Sequence, residues 1–222
     1  MARLHRSIVL LVIVFASAAC ASAPSTPAVA PAATSPLAVL LAGNRRFVHG
    51  RPTHVQQAYD QRPALVQGQH PIAIIVCCSD SRVPPELVFD QGLGRLFVVR
   101  LAGEVVDANA LGSIEYATEH LHTHLIVVLG HDQCGAVQAA IAAGQVPGHI
   151  ESIVRAIQPA VAEARTQPGN LLDNAINDNI LHVVSQIKSS RPILAHLVDT
   201  GQLQVVGARY NLASGRVVLL PD

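Results

Sequence analysis

Two short polar segments of the chain carry the side chains that could do chemistry. The sequence reads CSDSR at residues 78–82 and GHDQCG at residues 130–135, and each segment follows an apolar run. Two cysteine sulfurs and one histidine nitrogen can form a tetrahedral zinc site with one open position, the feature that distinguishes catalytic from structural zinc sites. Cys78, His131 and Cys134 are therefore predicted to bind a single Zn²⁺, with room for a water molecule.

The spacing of His131 and Cys134 suits a shared metal ion. Ligands three residues apart can face one ion from a loop that enters a helix, and Gly135 lets the backbone approach closely. A cysteine near a helix start is also stabilised as a thiolate by the free N–H groups and the helix dipole. Two alternatives remain open: a buried cysteine pair beside a hydrogen-bonded histidine, and a structural zinc with Asp80 as permanent fourth ligand.

An acid and an arginine follow the first cysteine. Asp80 could bind the metal or stand beside it and accept a proton, and the forked guanidinium of Arg82 can hold that carboxylate through two hydrogen bonds. Because two thiolates neutralise zinc more fully than imidazoles do, we expect Asp80 to help form the zinc-bound hydroxide that acts as nucleophile. The alternative is an ordinary structural ion pair.

The elements that must position these residues can be predicted from the pattern of apolar residues. The unbroken apolar run at 72–77 and the similar runs at 95–99, which opens with an arginine, and 125–129 are typical of strands covered on both faces. Ligands gather at the carboxyl ends of such strands. Helical spacing appears between them, and Pro159 is expected to kink or interrupt one of the helices. The predicted helices cover residues 37–48, 108–121, 136–143, 150–165 and 171–189, with a short one after Pro192.

The last two strand patterns, at 203–210 and 216–220, predict a hairpin around Ser214-Gly215. Apolar strands that alternate with helices favour an α/β fold with a mostly parallel central sheet flanked by helices. The hairpin would add an antiparallel edge strand near the C-terminus. Residues 37–222 are predicted to form one catalytic domain.

The first nineteen residues have the pattern of a signal peptide, with a basic start and an apolar stretch from residue 8. Small residues precede Cys20, as at a lipoprotein cleavage site, which predicts lipidation of Cys20. A simple secretory cut near residues 16–18 is the alternative. Residues 20–36 are rich in Ala, Pro, Ser and Thr and predict a flexible tether. The protein is expected to be exported to the periplasm, with the membrane reached only through a lipid anchor.

Composition narrows the range of partners. The formal net charge is zero and no cluster of Lys and Arg suggests a nucleic-acid track. Aromatic residues make up 3% of the chain and Trp is absent, which argues against stacking on sugars or bases and favours a small-molecule substrate. Cys77 is predicted to be a core residue. His120, His122 and His124 could form a second metal site, but solvent-facing histidines are the simpler interpretation.

The motif CSDSRVPPELVFDQGLGRLFVVRLAG, with GSIEYA and VVLGHDQCGAV downstream, resembles the β-class carbonic anhydrases over most of residues 37–222. The resemblance implies that Cys78, His131 and Cys134 are zinc ligands and that Asp80 and Arg82 are a catalytic dyad. It also implies that Asp80 can move onto the zinc in a closed state. Gln69 matches the glutamine that lines the substrate pocket in this family. The family is built from homodimers, often paired further, with sites at the dimer interface.

This resemblance implies reversible hydration of carbon dioxide to bicarbonate and a proton. Two other functions remain open: hydrolysis of carbon disulfide or carbonyl sulfide on the same fold, and a zinc-stabilised binding protein without turnover. One departure from the family pattern is Glu104, where Asn commonly follows Ala-Gly. We expect its charge to lie near the active-site entrance, where it could alter the pocket or proton traffic.

Overall fold

The centre of the protein is a five-stranded sheet. The computed structural model describes residues 35–53, 58–142 and 144–221. The strands are β1 (Ala73–Cys77), β2 (Leu96–Arg100), β3 (Leu125–His131), β4 (Gln204–Tyr210) and β5 (Val217–Leu219). Their order is β2-β1-β3-β4-β5; the first four are parallel, and β5 pairs antiparallel with β4 at the edge. The predicted α/β fold with its antiparallel edge hairpin is confirmed.

The sheet is covered on both faces because its central strands are apolar up to the polar ligand His131 at the end of β3. Every residue of β1 and β3 is buried, and alternate side chains point to opposite faces. One face, with Ile74 and Ile126, packs against the helices in the middle and late part of the chain. The other face, with Ile75 and Val127, packs against Leu40 and neighbouring residues in a smaller core.

Eight α-helices surround the sheet in the described part of the chain. They are α1 (Pro36–Val48), α2 (Ala58–Leu65), α3 (Pro85–Val88), α4 (Ala108–His120), α5 (Gly135–Ala142), α6 (Ile150–Ala164), α7 (Leu171–Ser189) and α8 (Ile193–Asp199). A short 3-10 helix, Ala102–Glu104, follows β2.

Three features of these helices differ from the sequence-based expectation. The segment before β1, predicted only as a polar stretch, contains α2. The first helix starts at Pro36, one residue earlier than predicted, with Ser35 as its N-cap. Pro159 does not interrupt α6, because the helix buries an apolar face whose packing outweighs one missing hydrogen bond.

The predicted signal peptide, the predicted lipidation site at Cys20 and residues 20–34 of the predicted tether lie outside the described residues. Within residues 35–53, 58–142 and 144–221, no helix combines the length and apolar character needed to cross a bilayer.

Two helical glycines predict opposite effects for the same substitution. A Cβ on Gly43 of α1 would lie 1.8 Å from the Phe89 carbonyl oxygen, whereas a Cβ on Gly112 of α4 would meet nothing within 4 Å. We expect Gly43→Ala to lower the free energy of unfolding by about 1–3 kcal/mol through overpacking. Gly112→Ala should raise it by about 0.5–1 kcal/mol, because alanine favours the helix. Urea denaturation measures both, and a loss of stability in Gly112→Ala would contradict this packing.

Candidate metal centre and active site

The sheet order brings the two polar segments together. β1 and β3 are parallel neighbours, with Cys77 paired to Leu129, so the residues at their carboxyl ends share one edge. Cys78 directly follows β1, His131 ends β3 and Cys134 precedes α5. Their ligand atoms lie within 4.8 Å of one another and all three residues are buried. Two cysteine sulfurs and one imidazole nitrogen gathered this closely form a donor set that could hold a zinc ion.

The imidazole of His131 is oriented for this purpose. Its Nδ1 lies 2.8 Å from the backbone oxygen of Asp132, while its Nε2 is buried, faces the Cys78 sulfur and has no nitrogen or oxygen partner. When Nδ1 carries the proton and donates to that carbonyl, the lone pair of Nε2 is free to bind a metal. A buried ring nitrogen that faces a sulfur is poorly satisfied unless an ion or donor meets it, which supports zinc binding.

The sulfurs of Cys78 and Cys134 share one proton in the metal-free protein. The Cys134 thiol donates a hydrogen bond to Cys78, which lowers the pKa of Cys78 to about 4 in the metal-free protein. The same bond raises the pKa of Cys134, because its proton is held between the sulfurs. The backbone N–H of Gly103 also donates to Cys78 Sγ, at 3.3 Å. Zinc binding would replace the shared proton and take both sulfurs as thiolates.

The predicted Asp80–Arg82 pair forms with both oxygens engaged. Arg82 Nε donates to Asp80 Oδ1 at 2.9 Å and Nη2 donates to Oδ2 at 2.7 Å. This guanidinium holds the pKa of Asp80 far below its usual range. Asp80 Oδ2 lies 3.8 Å from His131 Nε2, so the carboxylate stands beside the ligand set and outside it. The closed state, with Asp80 on the metal, stays a prediction.

Two residues that hold the ligand-bearing loops in place were not predicted from the sequence. Arg100, at the end of β2, donates from Nε to the Cys78 carbonyl at 3.1 Å and from Nη2 to the Asp80 carbonyl at 2.6 Å. The sequence feature that could have indicated this role is the single arginine at the end of an otherwise apolar strand. Asp132 accepts from Arg209 Nε and Asn211 Nδ2, each at 2.6 Å, which fixes the carbonyl that orients His131.

Gln69 does not meet the metal centre of its own chain. The Pro71 carbonyl accepts a hydrogen bond from Thr123, just before β3, which places this segment at the amino end of the sheet. The seven residue-to-residue steps from Pro71 to Cys78 span about 23 Å at the rise of an extended strand. Gln69 is exposed at that end, so the pocket role implied for it requires a second subunit and stays a prediction.

The prediction that Glu104 lies near the active-site entrance was wrong. Glu104 is 1% exposed and lies beneath the metal centre instead of at an entrance. Its Oε1 accepts a hydrogen bond from Asn179 Nδ2 at 2.9 Å. Burial, followed by the nearby charge of Cys78, raises the pKa of Glu104 to about 7 in the metal-free protein. The 3-10 helix after β2 turns this side chain inward, which a local sequence pattern does not reveal.

The remaining sequence predictions concern other cysteines and histidines. Cys77 is buried in the smaller core, on the face opposite Cys78, as predicted. His120, His122 and His124 are exposed. In the part of the chain that the structure describes, the three-ligand cluster at Cys78, His131 and Cys134 is the one cluster of this kind, so a second three-ligand site is not formed at these histidines.

Comparison with known proteins agrees with this geometry. The sequence profile described as carbonic anhydrase matches residues 73–217. Carbonic anhydrase 2 of Mycobacterium tuberculosis is 44% identical over 193 residues, which cover 84% of this chain and 93% of that protein. The match extends well beyond the ligand motifs and includes nearly the whole relative.

Two solved structures share the fold. The Coccomyxa β-carbonic anhydrase, in complex with acetazolamide, aligns with a TM-score of 0.66 at 27% identity and covers 85% of this chain and 86% of its own. A tetrameric β-carbonic anhydrase from Sordaria macrospora aligns with a TM-score of 0.68 at 24% identity, covering 82% of this chain and 95% of its own. The chain is therefore a member of the carbonic anhydrase family, of the β class that interconverts carbon dioxide and bicarbonate at a zinc ion.

Proposed function

We propose that this chain catalyses the reversible hydration of carbon dioxide with Cys78, His131 and Cys134 as zinc ligands and Asp80 as the hydrogen-bond acceptor that orients the attacking water. The observation that carries the proposal is the buried Nε2 of His131, which faces two sulfurs and an oriented carboxylate. Zinc at this position would lower the pKa of a coordinated water, so that a nucleophile is available near neutral pH.

The chain's own residues orient the reaction. Arg82 keeps the Asp80 carboxylate ionised and holds both of its oxygens, so Asp80 can accept a hydrogen bond from a water at the centre and direct it towards substrate. Arg100 holds the backbone of the same loop, so the side chains on this loop keep their orientation from one turnover to the next. Carbon dioxide is small and apolar and needs few recognition groups; the proton leaves to buffer.

Stopped-flow measurement of carbon dioxide hydration by the zinc-loaded protein tests this function. Turnover that disappears on zinc removal and returns on zinc addition is the expected result. A protein that binds zinc but does not accelerate hydration would instead support the non-catalytic binding function. Release of sulfide from carbon disulfide or carbonyl sulfide, without hydration of carbon dioxide, would identify the hydrolase alternative.

We infer a homodimer or a larger homo-oligomer as the working form. Gln69 lies too far from the metal centre of its own chain to line that pocket, and a partner subunit could supply it. Leu87, Leu93 and Tyr116 are each more than 40% exposed in the single chain, which is consistent with surfaces covered by association. The related Sordaria macrospora protein is tetrameric. Sedimentation velocity tests this, and a fully active monomer would contradict it.

We also propose export to the periplasm, with removal of residues 1–19 and lipidation of Cys20. The basic start, the apolar stretch and the small residues before Cys20 support this proposal. Expressed in a bacterium with two membranes, the parent should fractionate with membranes, and Cys20→Ala should move to the soluble periplasmic fraction with unchanged specific activity. Membrane association that persists in Cys20→Ala would contradict lipid anchoring at this residue.

A further inference from the structure

Glu104 is a buried acid that has no positively charged partner among the described residues. Among the residues that the structure describes, the buried acids are Asp90 and Glu104. Asp90 pairs with Arg46 and accepts the Thr53 N–H, whereas Glu104 has no ion pair in the same part of the chain. Its Oε1 accepts one hydrogen bond from Asn179, and its Oε2 is buried without any partner. An arrangement of this kind calls for an explanation beyond fold stability.

The backbone of Glu104 is also unusual. Its φ is 43°, in the left-handed region that side chains other than glycine seldom adopt. Gly103, immediately before it, has φ 66°, and a Cβ there would lie 2.6 Å from Ile157 Cδ1. Backbone conformations of this type persist where the surrounding structure enforces them, and they cluster at functional sites.

Hydrogen bonds connect this strained turn to the metal ligands. The Gly103 N–H donates to Cys78 Sγ at 3.3 Å. Asn179 Nδ2, from α7, donates to the Gly103 carbonyl at 2.8 Å and to Glu104 Oε1 at 2.9 Å. Gly103 is thus held on one side by Asn179 while its N–H points at the sulfur of Cys78.

The Glu104 carboxyl also packs under the second ligand loop. A Cβ on Gly130, the residue before His131, would lie 3.1 Å from Glu104 Oε1. The carboxyl oxygens are not among the ligand atoms of the metal cluster. Glu104 therefore supports both ligand-bearing loops from behind and does not bind the metal itself.

We propose that Glu104 and Asn179 are positioning residues that hold the Gly103 N–H against the Cys78 sulfur. This inference rests on the proposed zinc site. Asn179 bridges the Gly103 carbonyl and Glu104 Oε1, so loss of either side chain would release the turn whose N–H meets Cys78 Sγ.

Zinc affinity, measured by competition with a chelator of known affinity, tests the proposal. Glu104→Ala should weaken zinc binding by about 10- to 100-fold, the range typical of groups that orient metal ligands. Glu104→Gln retains the shape and a carbonyl oxygen for Asn179, so it should bind zinc within about threefold of the parent. The near-ultraviolet band of the cobalt-substituted protein should shift in Glu104→Ala, because the hydrogen bond to the Cys78 thiolate changes.

Asn44→Ala is the matched control. Asn44 is buried and donates to the Val88 and Gly215 carbonyls, so its loss should lower stability and leave zinc affinity unchanged. If Glu104→Ala does not fold, Asn179→Leu should show the same 10- to 100-fold loss of affinity.

Parent affinity in Glu104→Ala or Asn179→Leu would overturn the positioning role. A Glu104→Gln variant as weak as Glu104→Ala would overturn the hydrogen bond from Asn179 as the means of positioning, and an equal loss in Asn44→Ala would show general destabilisation instead of positioning. Failure of the parent to bind zinc would contradict the proposed zinc site and not this inference.

Discussion

Cys134→Ser should lose stoichiometric zinc binding, and its rate of carbon dioxide hydration should fall by at least about 10³-fold, because the metal supplies several kcal/mol of stabilisation to the reaction. The substitution removes one of three donors that surround a single position. It also breaks the hydrogen bond that pairs the two sulfurs. Zinc content by atomic absorption and hydration by stopped flow measure the two effects on one preparation.

The adjacent cysteine provides the control for this result. Cys77 precedes the ligand Cys78, but its side chain lies in the smaller core on the other face of the sheet. Cys77→Ala should therefore keep full zinc content and nearly parental activity, with a loss of stability of about 1–2 kcal/mol from the missing sulfur. Equal zinc loss in Cys77→Ala and Cys134→Ser would contradict the assignment of ligands.

Asp80→Asn should retain zinc and lose activity by about 10²- to 10³-fold, the usual cost of removing one positioned hydrogen-bonding group from an active site. The amide has nearly the shape of the carboxylate, but its NH₂ group cannot accept a hydrogen bond from a water at the centre. Asp80 stands beside the metal ligands, with Oδ2 3.8 Å from His131 Nε2, so the ligand set itself is intact. Hydration rate and zinc content separate this effect from metal loss.

Arg82→Lys distinguishes orientation from charge in the same pair. Lysine keeps a positive charge but cannot reproduce the two hydrogen bonds that Arg82 Nε and Nη2 make to the carboxylate. We expect an activity loss of about tenfold or more in Arg82→Lys, with zinc content unchanged. Parental activity in both Asp80→Asn and Arg82→Lys would show that the pair is a structural ion pair.

The parts of the site that could be predicted from sequence are those that short segments encode. The apolar runs predicted β1 and β3, and the residues directly after them are the metal ligands. Asp80 and Arg82 are two residues apart, so their pairing follows from local geometry. The sequence of each segment thus determines both its strand and the side chains at its end.

The parts that could not be predicted depend on contacts between distant residues. Glu104 meets Asn179 across 75 positions, and Asp132 meets Arg209 across 77, so neither environment has a local signature. Burial of Glu104 follows from a left-handed turn after β2, whereas a charged residue in a loop is ordinarily expected at the surface. The segment of α2 is short and contains Pro63, so its sequence carries no pattern that indicates a helix.

X-ray absorption at the zinc edge, combined with zinc stoichiometry, tests the central claim most directly. One zinc per chain is predicted. Its shell should contain two sulfurs at about 2.3 Å, one imidazole nitrogen at about 2.0–2.1 Å and one further oxygen. A protein that folds without zinc uptake, or a zinc shell without sulfur, would contradict the account.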